Sequence, residues 1–347
     1  GCGMVVDGIA RISAEHPGAR FVVHGDQALL APLLAARPQL AERCTVDHTS
    51  EVVGADDKPA QVVRRGRNTS MWKCIASVKD GVADMAISAG NTGALMAMAV
   101  LQLRTIEGID RPAIASAWPG INQEKVVLDL GATLDCNEDN LVQFAVMGAA
   151  FARLVNGVAQ PRIGLLNVGE EEQKGHEYIR AAAAKLRVAP QDDMKFIGFV
   201  EGTDLGADNV DVIVADGFSG NVALKTGEGV ARLIFQVLGD SLKRSWMTKL
   251  GYILARSAFR ALRTKFDPNA LNGGVFLGLG GLVIKSHGGT DSIGFAHAVN
   301  MGINMARGNL INRINKDLKN FHKALEIKVE PGIDDASGSV NAEGGGR

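Results

Sequence analysis

Asp84–Leu103 reads DMAISAGNTGALMAMAVLQL, and the order of residue types within it decides the fold. Met85, Ala86 and Ile87 form a short apolar run suited to a buried parallel strand. The run stops at Ser88-Ala89-Gly90-Asn91-Thr92-Gly93, and from Ala94 the chain is rich in strong helix formers. A strand, a tight glycine turn and a helix thus follow one another with no spare residues. Gly90 and Gly93 permit close backbone approach, and Asn91 or Thr92 is placed to cap the helix. The free N–H groups of that helix start, with its dipole, favour an anion at the end of the strand.

The layout recurs at Val210–Val230, where VDVIVAD runs into Gly217-Phe218-Ser219-Gly220-Asn221 and a helix is expected from Val222. Two such turns at the carboxyl ends of parallel strands would face one crevice, where open α/β sheets bind ligands. Working outward, strands are expected at Arg20–His24, Thr45–His48, Pro112–Trp118, Val126–Leu130, Arg162–Asn167, Phe196–Phe199 and Val210–Ala215, with a glycine-interrupted one at Val275–Ile284. Helices are expected at Val5–Ala14, Gln27–Ala36, Ala60–Arg67, Trp72–Asp80, Asn140–Val155, Tyr178–Leu186, Val222–Leu238, Ile293–Ala306 and Leu310–Leu325. This alternation predicts one three-layer α/β/α domain over residues 1–328, built on an open, mostly parallel sheet. The polar, glycine-rich residues 329–347 predict a disordered tail.

Composition narrows the function. With net charge −1 and only 5% aromatic residues, the chain has neither the basic surface nor the stacking platform of a nucleic-acid binder. Cys2, Cys44, Cys74 and Cys136 form no C-x-x-C, which reads as reduced thiols of a cytoplasmic protein, small core residues with a catalytic one as the alternative. The histidines lack ligand spacing, so no metal is expected. No G-x-G-x-x-G follows a strand, and Gly220–Thr226 lacks the glycine that precedes a P-loop lysine; no cofactor is expected, and a small anion suits the turns better than a nucleotide. No apolar run reaches the ~18 residues of a membrane span, and no signal peptide opens the chain.

Longer motifs are more specific. ISAGNTGAL (Ile87–Leu95), GIDRPA (Gly108–Ala113), LLNVGEE (Leu165–Glu171), KGHE (Lys174–Glu177), ADGFSGNVALKTGEG (Ala215–Gly229) and IKSHGGTDS (Ile284–Ser292) occur in that order. Together they resemble the PlsX family, the acyl-[acyl carrier protein]:phosphate acyltransferases of bacterial phospholipid synthesis, from about Asp7 to Asn320. The resemblance implies transfer of a long-chain acyl group from acyl carrier protein to inorganic phosphate. It also implies a homodimer folded like the phosphate acetyltransferases and the isocitrate dehydrogenase group. Lys174 and Asn221 match the residues expected to be catalytic. The chemistry agrees: an ammonium and helix-start N–H groups hold phosphate, and a neutral amide stabilises the oxyanion of the attacked thioester. The expected phosphate and substrate contacts are Gly90, Asn91, Thr92, Gly93, Gly169, Ser219, Gly220 and His287. From composition alone, Lys174 reads first as a solvated lysine in a charged loop, which the resemblance reverses, and a satisfied loop histidine is the alternative for His287. Family members begin with a strand leading into an Asp-Ala-Met-Gly-Gly-Asp loop, whereas Gly1–Asp7 leads straight into a helix, so an interior strand is expected to be missing here.

Ser241–Phe266 reads SLKRSWMTKLGYILARSAFRALRTKF, with apolar residues at helical spacing, seven basic residues and no acidic one. Trp246, Leu250, Ile253 and Leu254 with Arg256 and Arg260 suit an anionic lipid surface or an acidic carrier protein; a dimer-interface helix with a wet basic face is the alternative. The expected setting is therefore cytoplasmic, with peripheral contact at the inner face of the cell membrane near a downstream glycerol-phosphate acyltransferase. Two rival functions stand beside this one, a phosphate acetyltransferase using short acyl-CoA and a non-catalytic membrane-associated scaffold.

Overall fold

The computed structural model describes residues 1–190, 192–266 and 273–329. The chain opens with α1 (Cys2–Ser13), β1 (Phe21–Gly25), α2 (Gln27–Ala35), α3 (Pro38–Ala41) and β2 (Cys44–His48). α4 (Pro59–Arg65), α5 (Ser70–Lys79), β3 (Met85–Ser88) and α6 (Thr92–Leu103) follow. β4 (Ala113–Trp118), β5 (Lys125–Leu128), α7 (Glu138–Val155), β6 (Arg162–Leu166), α8 (Glu177–Val188), β7 (Lys195–Val200) and β8 (Val212–Val214) make the middle of the chain. It ends with α9 (Gly217–Lys243), α10 (Trp246–Leu254), α11 (Arg256–Lys265), β9 (Gly274–Leu277), β10 (Leu282–Lys285), α12 (Ser292–Arg307) and α13 (Leu310–Val329).

Most expected elements fall within two residues of these bounds. The opening strand–turn–helix is β3 and α6, and Asn91 is the cap, its Oδ1 accepting the Ala94 N–H at 3.0 Å. A short helix (α3) that opens at Pro38 and a single 3₁₀ turn at Gly202–Gly206 escape the apolar-period reading, because neither is long enough to repeat.

β1 and β2 pair in parallel as a small sheet, and the other strands form one sheet in the order β3-β10-β9-β4-β5-β8-β6-β7. Its two flanks are parallel, while β10–β9, β9–β4 and β4–β5 in the middle are antiparallel. The sheet is thus mixed but mostly parallel. Among the described residues the outer edges of β1 and β3 have no strand partner, and α5 packs against both strands. One face of the sheet is covered by α7, α8, α12 and α13; positions 140–152 of α7 are buried on every side, as an apolar helix inside a layered protein must be. The other face carries α5, α6 and the start of α9 over Ile114, Val127, Phe276 and Val283.

Four expectations change. Val275–Ile284, read as one glycine-interrupted strand, is two strands, β9 and β10, while the expected buried strands Pro112–Trp118 and Val126–Leu130 form and pair antiparallel with each other. An apolar run reports burial on both faces but carries no direction. The second glycine turn is no turn: Asp216 caps α9 and Gly217–Asn221 is its first part. The basic amphipathic stretch is not one helix; it comprises the end of α9, then α10 and α11, broken at a Ser245/Thr248 capping box and at Ala255. Finally α13 runs through Val329, and the rest of the expected tail lies outside the described residues.

α9 seats directly on the end of β5. A Cβ on Gly217 would overlap the Thr133 carbonyl and the Asp129 carboxylate, and one on Gly220 would run into the Asp129 carbonyl oxygen. Backbone cannot yield as a flexible side chain can. Gly220→Ala is therefore expected to lower stability by about 1–3 kcal/mol, read as a lower urea midpoint; an unchanged midpoint would contradict the contact.

Candidate functional site

β5, β8, β6 and β7 lie side by side and run the same way, so their carboxyl ends open on one edge. The loops leaving that edge are built by satisfied carboxylates. Asp129, fully buried after β5, accepts N–H bonds from Ile114 (2.8 Å), Gly131 (3.1 Å), Ala132 (3.0 Å) and Thr133 (2.6 Å). Burial pushes its pKa up, against those four N–H groups, which pull it down. Asp216, after β8, accepts from the N–H of Phe218 (3.0 Å) and Ser219 (2.8 Å), the Ser219 hydroxyl (2.8 Å) and the Tyr178 hydroxyl (3.2 Å). Burial, and then the Asp216 charge, push the Tyr178 phenol up to about 12, so it stays a donor.

Lys174 stands on the loop after β6. The buried Asn167 Nδ2 donates to the carbonyls of Gly169 and Lys174, both at 3.1 Å, and so draws the two ends of the loop together. Gly175, at φ +85°, turns the chain against that amide, where a side chain would overlap it. The Lys174 stem lies over Gly169. Its exposed ammonium pairs with Glu171 at 2.8 Å, and this bond raises the lysine pKa and lowers that of Glu171. Glu171 thus holds the ammonium in place, the positioning function open to it in the acidic run. Asn221 lies in the first turns of α9 against Gly131, half-buried, and its carboxamide has no hydrogen-bond partner among the described residues. Lys174 and Asn221 therefore flank the same carboxyl edge, one beyond β6 and the other over the end of β5.

The remaining expected residues lie on other strands. Three antiparallel pairings stand between β3 and β8 in the sheet, so the two glycine stretches do not follow strands of one direction. Gly90, Asn91, Thr92 and Gly93 follow β3, with His287 beside them after β10, where Gly288 lies against the Ala89 carbonyl. Asn91 is used structurally, its Nδ2 donating to the carbonyls of Ala55 (2.8 Å) and Asp57 (3.1 Å). The N–H groups of Thr92 and Gly93 keep no intrahelical acceptor. Ser219 and Gly220 both donate their N–H groups to Asp216 and so build the cap of α9. His287 Nδ1 accepts the Gly289 N–H at 3.1 Å. Burial raises the thiol pKa of Cys44, Cys74 (to about 11) and Cys136 (to about 12), leaving no activated thiolate among these three.

The apolar and basic candidates sit elsewhere, on the helical excursion. α10 has no buried residue; Trp246 is 76% exposed and Leu254 79%, with Leu250 and Ile253 beside them, while Arg256 and Arg260 are exposed on α11. Sequence reasoning missed Asn167, Asp129, Tyr178 and Lys285. An asparagine or aspartate directly after a strand (Leu166-Asn167, Leu128-Asp129) is the signal that was available for the first two.

A family model described as "Fatty acid synthesis protein" matches residues 1–313. A phosphate acyltransferase of Azorhizobium caulinodans is 52% identical over 316 residues, which cover 91% of this chain and 89% of the relative. One from Rhodopseudomonas palustris is 52% identical over 326 residues, covering 94% and 92%. Among solved structures, a phosphotransacetylase from Streptococcus pyogenes superposes with a TM-score of 0.59 at 17% identity, covering 88% of this chain and 91% of that one. A branched-chain phosphotransacylase from Enterococcus faecalis gives 0.50 at 11% identity, covering 83% and 99%. At such identities the likeness is one of fold.

Glu171→Gln replaces the carboxylate that raises the Lys174 pKa. The Lys174 titration, followed by NMR of labelled lysine, is expected to move down towards the ordinary lysine value. A midpoint that stays put would mean the pair does not form in solution.

Proposed function

The chain belongs to the fatty acid synthesis protein family, and from that membership we infer that it is an acyltransferase moving acyl groups onto inorganic phosphate for lipid synthesis. In our reading the donor is a long-chain acyl thioester of acidic acyl carrier protein. A phosphate oxygen attacks the thioester carbon, the new C–O bond forms as the C–S bond breaks, and the carrier leaves as thiolate and takes up a proton. Phosphate is its own nucleophile, so no acyl-enzyme is needed. Lys174 holds the attacking phosphate; Asn221, its amide unspent, donates to the carbonyl oxygen as charge develops there. The shared carboxyl edge of Lys174 and Asn221 is the observation that carries this reading. Lys174 must exchange Glu171 for phosphate, a trade of one charge-assisted bond for another.

Release of free carrier thiol from palmitoyl-carrier protein with phosphate tests the reaction. Asn221→Ala is expected to lower kcat about a hundred- to a thousandfold, and Lys174→Ala to lower kcat/KM for phosphate about ten- to a hundredfold. Acetyl-CoA used as well as the long-chain carrier thioester would favour the phosphate acetyltransferase alternative, and full biological activity of Lys174→Ala the scaffold.

The excursion supports the finer parts of the reading. α9 exposes Val230, Leu233, Ile234 and Val237 at helical spacing, a stripe suited to a second copy of the chain and hence to a homodimer. No helix among the described residues is long and apolar enough to cross a membrane. α10 instead offers Trp246, Leu250, Ile253 and Leu254 to a lipid surface, with Arg256 and Arg260 for lipid phosphates or the acidic carrier. On this reading the enzyme works at the inner face of the cell membrane, where a glycerol-phosphate acyltransferase consumes its product. Paired substitutions Trp246→Glu and Leu250→Glu are expected to abolish co-sedimentation with anionic liposomes and leave the circular dichroism spectrum unchanged, because neither side chain is buried. Undiminished co-sedimentation would remove the membrane contact.

A further inference from the structure

Lys285 ends β10, level with Ser88 of β3 and Gly274 of β9. Val283, two residues earlier, belongs to the apolar cluster under α6 and α9, so strand alternation turns Lys285 towards the same side. Its half-buried ammonium donates to the adjacent Ser286 carbonyl. From α9, Lys225 brings a second positive charge to bear on it. Burial first and Lys225 second hold the Lys285 pKa down, to about 8.

α9 presents Lys225 with its own partner Glu228, 3.1 Å away and three residues on; the β10 loop adds His287, and Ser88 of β3 and Gly274 of β9 are level with Lys285 in the sheet. Lys285 has no carboxylate partner among the described residues. A lysine that is half-buried, faced by another lysine and without a counter-ion there is prepared for an anion from outside the protein, whose negative charge would offset both causes of its lowered pKa. β10 does not run in the direction of β5 and β6, so the link from this pair to the acyl-transfer edge is α9 itself: Asn221 lies one helical turn before Lys225 and shares its flank of the helix.

We propose that Lys285 and Lys225 form a binding site for a phosphate group, one helical turn along α9 from Asn221. Two sources share that chemistry: inorganic phosphate, and the phosphate ester of the donor's phosphopantetheine arm. The choice between sources rests on the acyl-transfer reading; the anion site does not.

Lys285→Met, Lys285→Arg and Lys225→Met, made in the full chain, would be titrated by calorimetry with inorganic phosphate and separately with 4′-phosphopantetheine. Both Met variants are expected to lose about tenfold or more in affinity for one probe, with Lys285→Arg staying within about threefold of the parent. Loss for inorganic phosphate assigns the site to the acceptor, and loss for phosphopantetheine assigns it to the donor arm. Unchanged affinity for both probes in both Met variants overturns the site. Lys225 is exposed, so its variant decides the matter even where Lys285→Met misfolds. An anion raises the Lys285 pKa, so at about pH 9 binding should take up a proton, seen as a heat that depends on buffer ionisation. Heat independent of the buffer in the parent protein would overturn the Lys285 contact. None of these readings needs turnover, so a failure of acyl transfer and a failure of this site remain distinct.

Discussion

The buried Asp129 carboxylate is the constraint on which the rest of this structure depends. It binds the N–H of Ile114 on β4 and three N–H groups of the loop after β5, while its own carbonyl oxygen meets Gly220 of α9. A buried carboxylate without partners would cost far more than its bonds return; with four donors it joins a strand, a loop and a helix at one point. Gly217 and Gly220 let α9 come down onto that point. The position of Asn221 follows, since it is the next residue along the helix, and so do Lys225 and everything α9 carries beyond.

Charge is distributed unevenly around this joint. Asp129 and Asp216 are saturated by N–H and O–H donors, so they shape the edge and leave little capacity for substrate. Lys174 is paired but exposed, and its partner Glu171 is a neighbour on the same loop, so exchange for an incoming anion requires only side-chain movement. Lys285 is the reverse case, less exposed and without an acidic partner. In the proposed arrangement a second anion is met by Lys285 and Lys225, and Lys174, on the loop after β6, and Lys285, at the end of β10, belong to strands on either side of β5 in the sheet order.

The layer architecture was legible because each buried strand is a short apolar run closed by a glycine, and each covering helix is long enough to repeat. Strand direction was not: three antiparallel pairings stand between the strand before Gly90–Gly93 and the strands around Lys174. The burial pattern of β4 and β5 is the same for either direction, and only the long-range partners decide it. The start of α9 was misplaced because Gly217 and Gly220 look like turn residues, whereas close packing on Asp129 is what requires them. Lys174 and Asn221 were reached through the long motifs that surround them. Asn167 and Lys285 were not, since a clamp between Gly169 and Lys174 or a cation facing another helix is invisible until the chain is folded.

α9 also relates the reaction edge to the excursion. Its 27 residues span roughly 40 Å, with Gly217 and Gly220 buried at one end and α10 packed against the other. Along the distal half Val230, Leu233, Ile234 and Val237 are about half exposed, and α10 buries nothing. Such a helix gains little from the core over most of its length, so it is held at its glycine end, and whatever covers its apolar stripe holds the other. A partner there need not touch Asn221 to affect it. The contact between Gly220 and Asp129 fixes the glycine end, within one residue of the Asn221 amide.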